Sequence, residues 1–350
     1  MQARGCDLLL LISPKQVDQQ AAGSAANLPV ATLPAVGLEA GRWAAFARGA
    51  WRAFLAARRL FAERPPAAVL AMGGFTAAPP VLAAKAQRAA VFLHEANAVP
   101  GRANRWLIHL ADQAFVYFPQ AAERLGRRRA LVTGMPVRRQ FQPREAAGCR
   151  LALGLDAERP VLLASGGSQG ATGLNELVLR ALPALAAAEP ALQFIHLTGP
   201  NDLERVREAY AAGQRKALVR PFLTEMELAL GAATLAVSRA GGSFLAELAA
   251  MRVPAILVPL PTAADNHQFH NARAFAETGA ARLLEQTKST PELMAAEISR
   301  LLRDEAARED LRTALARWDF PGAAEQIADL VLAAMTPAPS GSREEVLATD

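Results

Sequence analysis

Short apolar runs alternate with longer Ala-rich stretches almost from one end of the chain to the other. Most runs are continuously apolar, as strands buried on both faces are, and the stretches between them read as helices. The first half predicts strands at Asp7–Ser13, Ala67–Met72, Ala90–Leu93, Gln113–Tyr117 and Ala130–Thr133. The second predicts Val161–Ser165, Gln193–Leu197, Leu218–Val219, Thr234–Ser238 and Ala255–Val258. Strand and helix in alternation make the class α/β, with two doubly wound, Rossmann-like domains.

The boundary is expected after Gly134-Met135-Pro136-Val137-Arg138, where a strand runs into a proline and then a Gln- and Arg-rich stretch that lets two lobes hinge over a ligand. Residues 1–138 form the first domain and 139–318 the second; 319–336 carries a helix returning to the first, and 337–350 is a disordered tail. Gln2-Ala3-Arg4-Gly5 reads as the last turn of a helix. A doubly wound sheet has a strand, a loop and a helix before such a point, so about 30 residues of one βα unit are expected upstream of Met1.

With 350 residues, 52% of them hydrophobic, the chain has material for two full cores. No apolar run approaches the roughly 20 residues of a membrane span, and no secretory signal follows Met1, so a cytoplasmic location is expected. Cys6 and Cys149 match no metal or redox spacing and read as packing or surface thiols. Charge is lopsided: residues 1–143 hold 18 Lys and Arg against 7 Asp and Glu (+11), the remainder 20 against 26 (−6). A basic first half fits nucleic acid or an anionic membrane.

The aromatics decide between them. Arg42 to Arg64 interleaves six arginines with Trp43, Phe46, Trp51, Phe54 and Phe61, opposed only by Glu63. A helix packed on a sheet explains some of these aromatics but not two tryptophans among six arginines; a basic helix with interfacial aromatics is a membrane-surface signal. Trp43, Trp51, Phe54, Arg58 and Arg59 are therefore expected to face the membrane, with Trp106 extending the patch. No nucleic-acid-binding module is present.

Four glycine-bearing turns follow strands: Gly73-Gly74-Phe75-Thr76, Gly166-Gly167-Ser168-Gln169-Gly170, Gly199 and Gly241-Gly242. One alone reads as tight packing; a set at the carboxyl ends of strands points to a ligand in the cleft between lobes. His94-Glu95-Ala96-Asn97 ends an otherwise apolar strand, either as a cleft-edge source of a general base or as a cap that fastens its loop. No Asp-X-Asp pair and no metal-ligand spacing occurs, so metal-independent chemistry without a cofactor is expected, with helix N-termini, Ser168 and Arg138 meeting any diphosphate. Arg239 joins them or forms a salt bridge elsewhere. Thr234–Asn271 carries the fullest signal: a buried strand, a Gly-Gly turn, a helix with Glu247 near its start, then an Asp-Asn-His-Gln cluster. Backbone N–H groups and the helix dipole suit phosphates, and a carboxylate suits ribose hydroxyls, so nucleotide-sugar chemistry leads.

These motifs, with Thr133-Gly134-Met135-Pro136-Val137-Arg138, Arg239 to Glu247 and Asp265 to Asn271, resemble in order and over nearly the whole chain the undecaprenyldiphospho-muramoylpentapeptide β-N-acetylglucosaminyltransferases, the MurG family that makes lipid II. The resemblance implies a GT-B fold, UDP-GlcNAc as donor, lipid I as acceptor, inverting transfer, and a peripheral place on the cytoplasmic face of the inner membrane, where other wall-synthesis proteins are partners. Carried over by position, the donor contacts are Asn97, Arg138, Ser168, Leu223, Gly242, Ser243, Phe244, Leu245, Glu247 and Gln268, with Glu247 on the ribose. Three departures stand out: the family's Gly-Gly-Thr-Gly-Gly-His loop is expected before Met1, Phe75 stands where Tyr is frequent, and Gly241-Gly242 replaces Gly-Ala. With that loop's His absent, Glu95 or His94 is the candidate base. The rival readings are a GT-B transferase acting on another lipid such as diacylglycerol, and a truncated non-catalytic protein that binds UDP-GlcNAc or the membrane.

Overall fold

The computed structural model describes residues 1–15, 18–19, 23, 28–35, 43–167 and 170–335. Twelve strands are seen among them: β1 (Leu10–Ile12), β2 (Val30–Thr32), β3 (Ala68–Ala71), β4 (Ala90–Glu95), β5 (Gln113–Val116), β6 (Ala130–Val132), β7 (Val161–Ser165), β8 (Gln193–Leu197), β9 (Ala217–Arg220), β10 (Leu235–Ser238), β11 (Ala255–Leu257) and β12 (Arg282–Leu283). They form a pair β1-β2, a sheet in the order β3-β4-β5-β6, and a sheet in the order β12-β11-β10-β7-β8-β9. Every strand expected from the apolar runs is present, within a few residues at its ends. Strands β2 and β12 were not foreseen; three and two residues long, they are too short to display a period. The tail expected at 337–350 lies outside the described residues.

The chain divides into two compact units, one of Met1–His94, Arg102–Ala114 and the chain from Glu325, the other of Glu95–Gly101 and Phe115–Ala324. In the first, Gln2–Arg4 forms a single 3-10 turn closed by Gly5 in the left-handed conformation, the helix ending read from the sequence. Helix Trp43–Glu63 turns a narrow face inward through Ala53, Ala57 and Phe61, all buried. Small residues there let it lie close to helix Ala78–Ala86, and Trp51 is left on the outer face.

The second unit is built on the six-stranded sheet, parallel in every pairing. Leu174, Leu177, Val178, Ala181 and Leu185 fall on one face of helix Thr172–Ala188 and pack with Met294, Ile298 and Leu301 of helix Pro291–Arg303 over Leu162, Phe194, Val237 and Ile256 of the sheet. An aromatic cluster gathers the rest. Trp318 stacks on Phe275 at 4.4 Å and donates through Nε1 to Thr278 Oγ1 at 2.8 Å, while the Tyr117 hydroxyl donates to the Trp318 carbonyl at 2.9 Å. These bonds satisfy the polar ends of two large buried rings and fix the segment after β5 against helix His267–Glu277.

A polar chain runs through the core beside β8. Asn175 donates to the Thr198 carbonyl at 2.9 Å and to Asp202 Oδ2 at 2.8 Å, so its Oδ1 is left to accept from His196 Nε2 at 3.0 Å. That assigns His196 Nδ1, 3.1 Å from the Tyr210 hydroxyl, as acceptor. His196 is wholly buried, and burial pushes its imidazole down to about 4 against the pull of Asp202. Below pH about 6.5 the unfolded chain therefore binds a proton that the folded chain refuses, and stability falls as pH drops toward 4, by about 3 kcal/mol in all. Chemical denaturation should show the native protein losing about 1.5 kcal/mol between pH 6.5 and 5 relative to His196→Gln; parallel profiles would contradict this account of the chain.

Candidate functional site

The order of the six-stranded sheet places the site. From β7 the chain builds outward through β8 to β9, then returns to the other side of β7 for β10, β11 and β12. Helices after the two neighbouring strands cover opposite faces, and a crevice opens at the carboxyl end where the order reverses. Here that point lies between Ser165, ending β7, and Ser238, ending β10, which are register partners; Arg239 N–H donates to the Ser165 carbonyl at 3.2 Å. The two turns beyond them are the Gly166–Gly170 and Gly241–Gly242 motifs.

Each turn is pressed against a neighbour so closely that a side chain does not fit. A Cβ on Gly170 would stand 2.3 Å from the Thr198 carbonyl, and one on Gly242 only 2.1 Å from that of Ala96. Beyond β8 and β9, Thr198 N–H donates to the Arg220 carbonyl and Gly199 N–H to that of Pro221, both at 3.0 Å. The turn carrying half-buried Leu223 is thus tied to Gly199, and through it to the Gly170 turn. The buried chain from Asn175 to Tyr210 braces this group from behind by holding the Thr198 carbonyl.

A second loop, Glu95–Gly101, is held by two side chains. The buried Glu95 accepts from Asn97 N–H at 2.9 Å and Asn97 Nδ2 at 3.0 Å through one oxygen, and from Gly101 N–H at 2.9 Å through the other. Asn271, with no exposed surface, accepts from Ala98 N–H at 2.8 Å and donates to Asn97 Oδ1 and the Ala240 carbonyl, each at 3.0 Å. One amide therefore joins the loop bearing Asn97 to the turn before Gly242. Asn271 was visible in the sequence only as the last member of its motif. The first unit has a counterpart, also missed: buried Asn104 donates to the His94 carbonyl at 3.0 Å and packs on Gly73.

Glu247 is the opposite case to Glu95. It lies in helix Gly242–Met251, half-buried, and its carboxylate makes no hydrogen bond among the described residues. Burial pushes its carboxyl up to about 7, partly offset by the Arg138 guanidinium. A carboxylate held short of solvation beside a crevice is poised to accept from hydroxyl groups of a ligand. Arg138 is exposed and lies over the Phe141 ring at 4.9 Å. Ser243 is exposed, Phe244 half-buried and Leu245 fully buried, so Ser243 and the turn's N–H groups are the members of this segment open to a polar ligand. Gln268, half-buried, is held by accepting from Leu260 N–H at 3.0 Å.

Arg239 makes no salt bridge among the described residues, and two of its guanidinium nitrogens are engaged within the protein. Buried, it donates to the Val258 and Pro259 carbonyls at 2.9 and 3.1 Å and to Gln286 Oε1 at 2.7 Å, and burial lowers its guanidinium to about 10. It fastens the end of β11. Ser168 lies outside the described residues, as does the side chain of Trp43. His94 is 2% exposed and belongs to the first unit. In that unit Trp51 is 60% exposed and stacks on Phe54 at 5.6 Å, with Arg58 5.9 Å from the Phe54 ring; Arg59 is exposed and Trp106 is 58% exposed. Among the described residues no group of three or more His, Cys, Asp and Glu is placed to hold a metal, and no helix is long and apolar enough to cross a membrane.

Comparison with known proteins places this arrangement. Residues 1–116 match the glycosyltransferase family 28 N-terminal domain and residues 161–327 the C-terminal domain of the same family. The UDP-N-acetylglucosamine-N-acetylmuramyl-(pentapeptide) pyrophosphoryl-undecaprenol N-acetylglucosamine transferase of Anaeromyxobacter sp. (strain Fw109-5) is 40% identical over 279 residues, 80% of this chain and 72% of that protein. The crystal structure of Acinetobacter baumannii MurG superposes with a TM-score of 0.72 at 28% identity, covering 95% of this chain and 92% of that one. A putative UDP-N-acetylglucosamine 2-epimerase from Listeria monocytogenes, 16% identical with a TM-score of 0.67, shares the fold alone. The chain belongs to glycosyltransferase family 28, within the MurG family of GT-B glycosyltransferases.

Proposed function

We propose that this chain transfers GlcNAc from UDP-GlcNAc to the C4 hydroxyl of the MurNAc-pentapeptide carried on undecaprenyl diphosphate, lipid I, and so makes lipid II for peptidoglycan. The unpartnered Glu247 carboxylate at the reversal of the six-stranded sheet carries this reading: it stands where a nucleotide's ribose is expected once the diphosphate meets the Gly242 helix. Transfer is a single inverting displacement. The acceptor hydroxyl attacks C1 of GlcNAc, the C1–O bond to UDP breaks, and the leaving diphosphate is stabilised by the N–H groups at Gly242 and Ser243, by Ser168 and by Arg138. No metal is required in this scheme. Asn97 and Gln268 follow the sugar, and Leu223 packs on the base. Trp43, Trp51, Phe54, Arg58, Arg59 and Trp106 rest on the anionic cytoplasmic face of the membrane, which gives a peripheral location without a span. We further propose the lobe boundary after Arg138, with helix Ala323–Met335 docking on the first lobe.

We retain Glu95 and His94 as candidate catalytic residues. Glu95 already accepts three loop bonds, so Glu95→Gln separates two roles. As general base its loss lowers kcat by about 10² to 10⁴ with donor KM unchanged; as a loop clamp its loss raises donor KM through Asn97 and lowers Tm.

The product test is direct. Radiolabelled UDP-GlcNAc offered lipid I or diacylglycerol in vesicles should label lipid I only; labelling of diacylglycerol, or of neither, contradicts the proposal. A Glu247 carboxyl near 7 also sets a pH dependence. Ribose hydroxyls bond to the ionised form, so donor KM should fall about tenfold from pH 6 to 8 and level above. Glu247→Gln should flatten that profile at a raised KM.

A further inference from the structure

The second unit holds a small, solvent-open cleft between helices Pro119–Leu125 and His267–Glu277, lined by Ala98, Gln120, Arg124, His270, Arg273 and Glu277. None of these is a donor contact carried over from the family. Three of the polar groups lack a hydrogen-bonding partner among the described residues. Gln120 Oε1 is buried without a hydrogen bond, and Arg124 and the His270 ring make no hydrogen bond or ion pair among the described residues. Arg273 is engaged only with Glu277, at 3.4 Å and on an exposed surface, and lies 6.0 Å from the Phe269 ring. Burial, then Arg273, then Arg124 hold the His270 imidazole below its usual value. Two guanidiniums from different helices thus flank an imidazole whose ionisation they oppose, with one carboxylate, Glu277, countering them.

We propose that this cleft is a binding site for a phosphate-class oxyanion. Arg124 and Arg273 each offer forked N–H donors to phosphate oxygens, and His270 becomes a third donor once an anion offsets the two arginines. Gln120 Oε1 favours phosphate over carboxylate, because hydrogen phosphate keeps a P–OH at neutrality, and a phosphate monoester keeps one in its monoanionic form, that can donate to it, whereas a carboxylate has no such proton. The same ligand chemistry comes from free phosphate or from a lipid headgroup ending in a phosphate monoester.

The rate at which diethyl pyrocarbonate modifies His270, followed by peptide mass spectrometry on the full chain, reads occupancy directly. At about twice its Kd, inorganic phosphate should slow that reaction about threefold against chloride of equal ionic strength, leaving His109 unchanged. Arg124→Ala, an exposed position, should remove the protection. Vesicles of phosphatidylcholine with phosphatidic acid, against phosphatidylcholine alone, identify the source: protection at lower phosphate than the free ion needs assigns a lipid headgroup, and protection by free phosphate alone assigns a soluble anion. Equal His270 rates under all conditions, or protection that survives in Arg124→Ala, would overturn the proposal.

Discussion

One side-chain amide holds the site together. Asn271 is buried where the Glu95–Gly101 loop, the turn at Ala240 and helix His267–Glu277 meet; from the helix it makes two hydrogen bonds to the loop, at Ala98 N–H and Asn97 Oδ1, and a third to the Ala240 carbonyl of the turn. A buried amide with both oxygen and nitrogen engaged is costly to replace, because removing it orphans a backbone N–H and a carbonyl in a space closed to water. The Ala96 carbonyl lies against Gly242, and Asn271 sets how near loop and turn stand. The Gly242 helix therefore points its N–H groups at a place defined by the loop that bears Asn97.

The two glutamates show how environment, rather than residue type, assigns roles. Glu95 is saturated by three N–H donors and spends its charge on a loop. Glu247 is half-buried and unbonded, so its charge is poorly solvated and available. Arg138 and Arg239 repeat the contrast: the first stays exposed beside Glu247, the second is consumed by carbonyls at the end of β11. A site of this kind binds anions and hydroxyls with groups left over after the scaffold has been satisfied.

Much of this was legible in the chain. The apolar runs located ten strands, since strands buried on both faces leave an unmistakable trace, and the glycine turns after them marked the carboxyl ends. Glu247, Gln268 and Asn97 were proposed as donor contacts through motif order. What stayed hidden depends on contacts distant in sequence. His196, Tyr210, Asn175 and Asp202 read as ordinary helix and strand residues until the fold brings them into one chain of bonds. The double reading of Glu95, as base or as clamp, was open for the same reason: only the positions of the Asn97 and Gly101 N–H groups reveal that both oxygens are occupied. The partners of Arg239, two main-chain carbonyls and Gln286 Oε1, were hidden because a main-chain carbonyl carries no sequence signature and Gln286 is distant in the chain.

The central claim is that the crevice at the reversal between β7 and β10 is the nucleotide-sugar site. The most direct measurement is a crystal structure with UDP-GlcNAc bound. The account predicts the diphosphate against the N–H groups of Gly242 and Ser243 and the ribose hydroxyls donating to Glu247. A nucleotide bound elsewhere, with the Glu247 carboxylate still unpartnered, would contradict it.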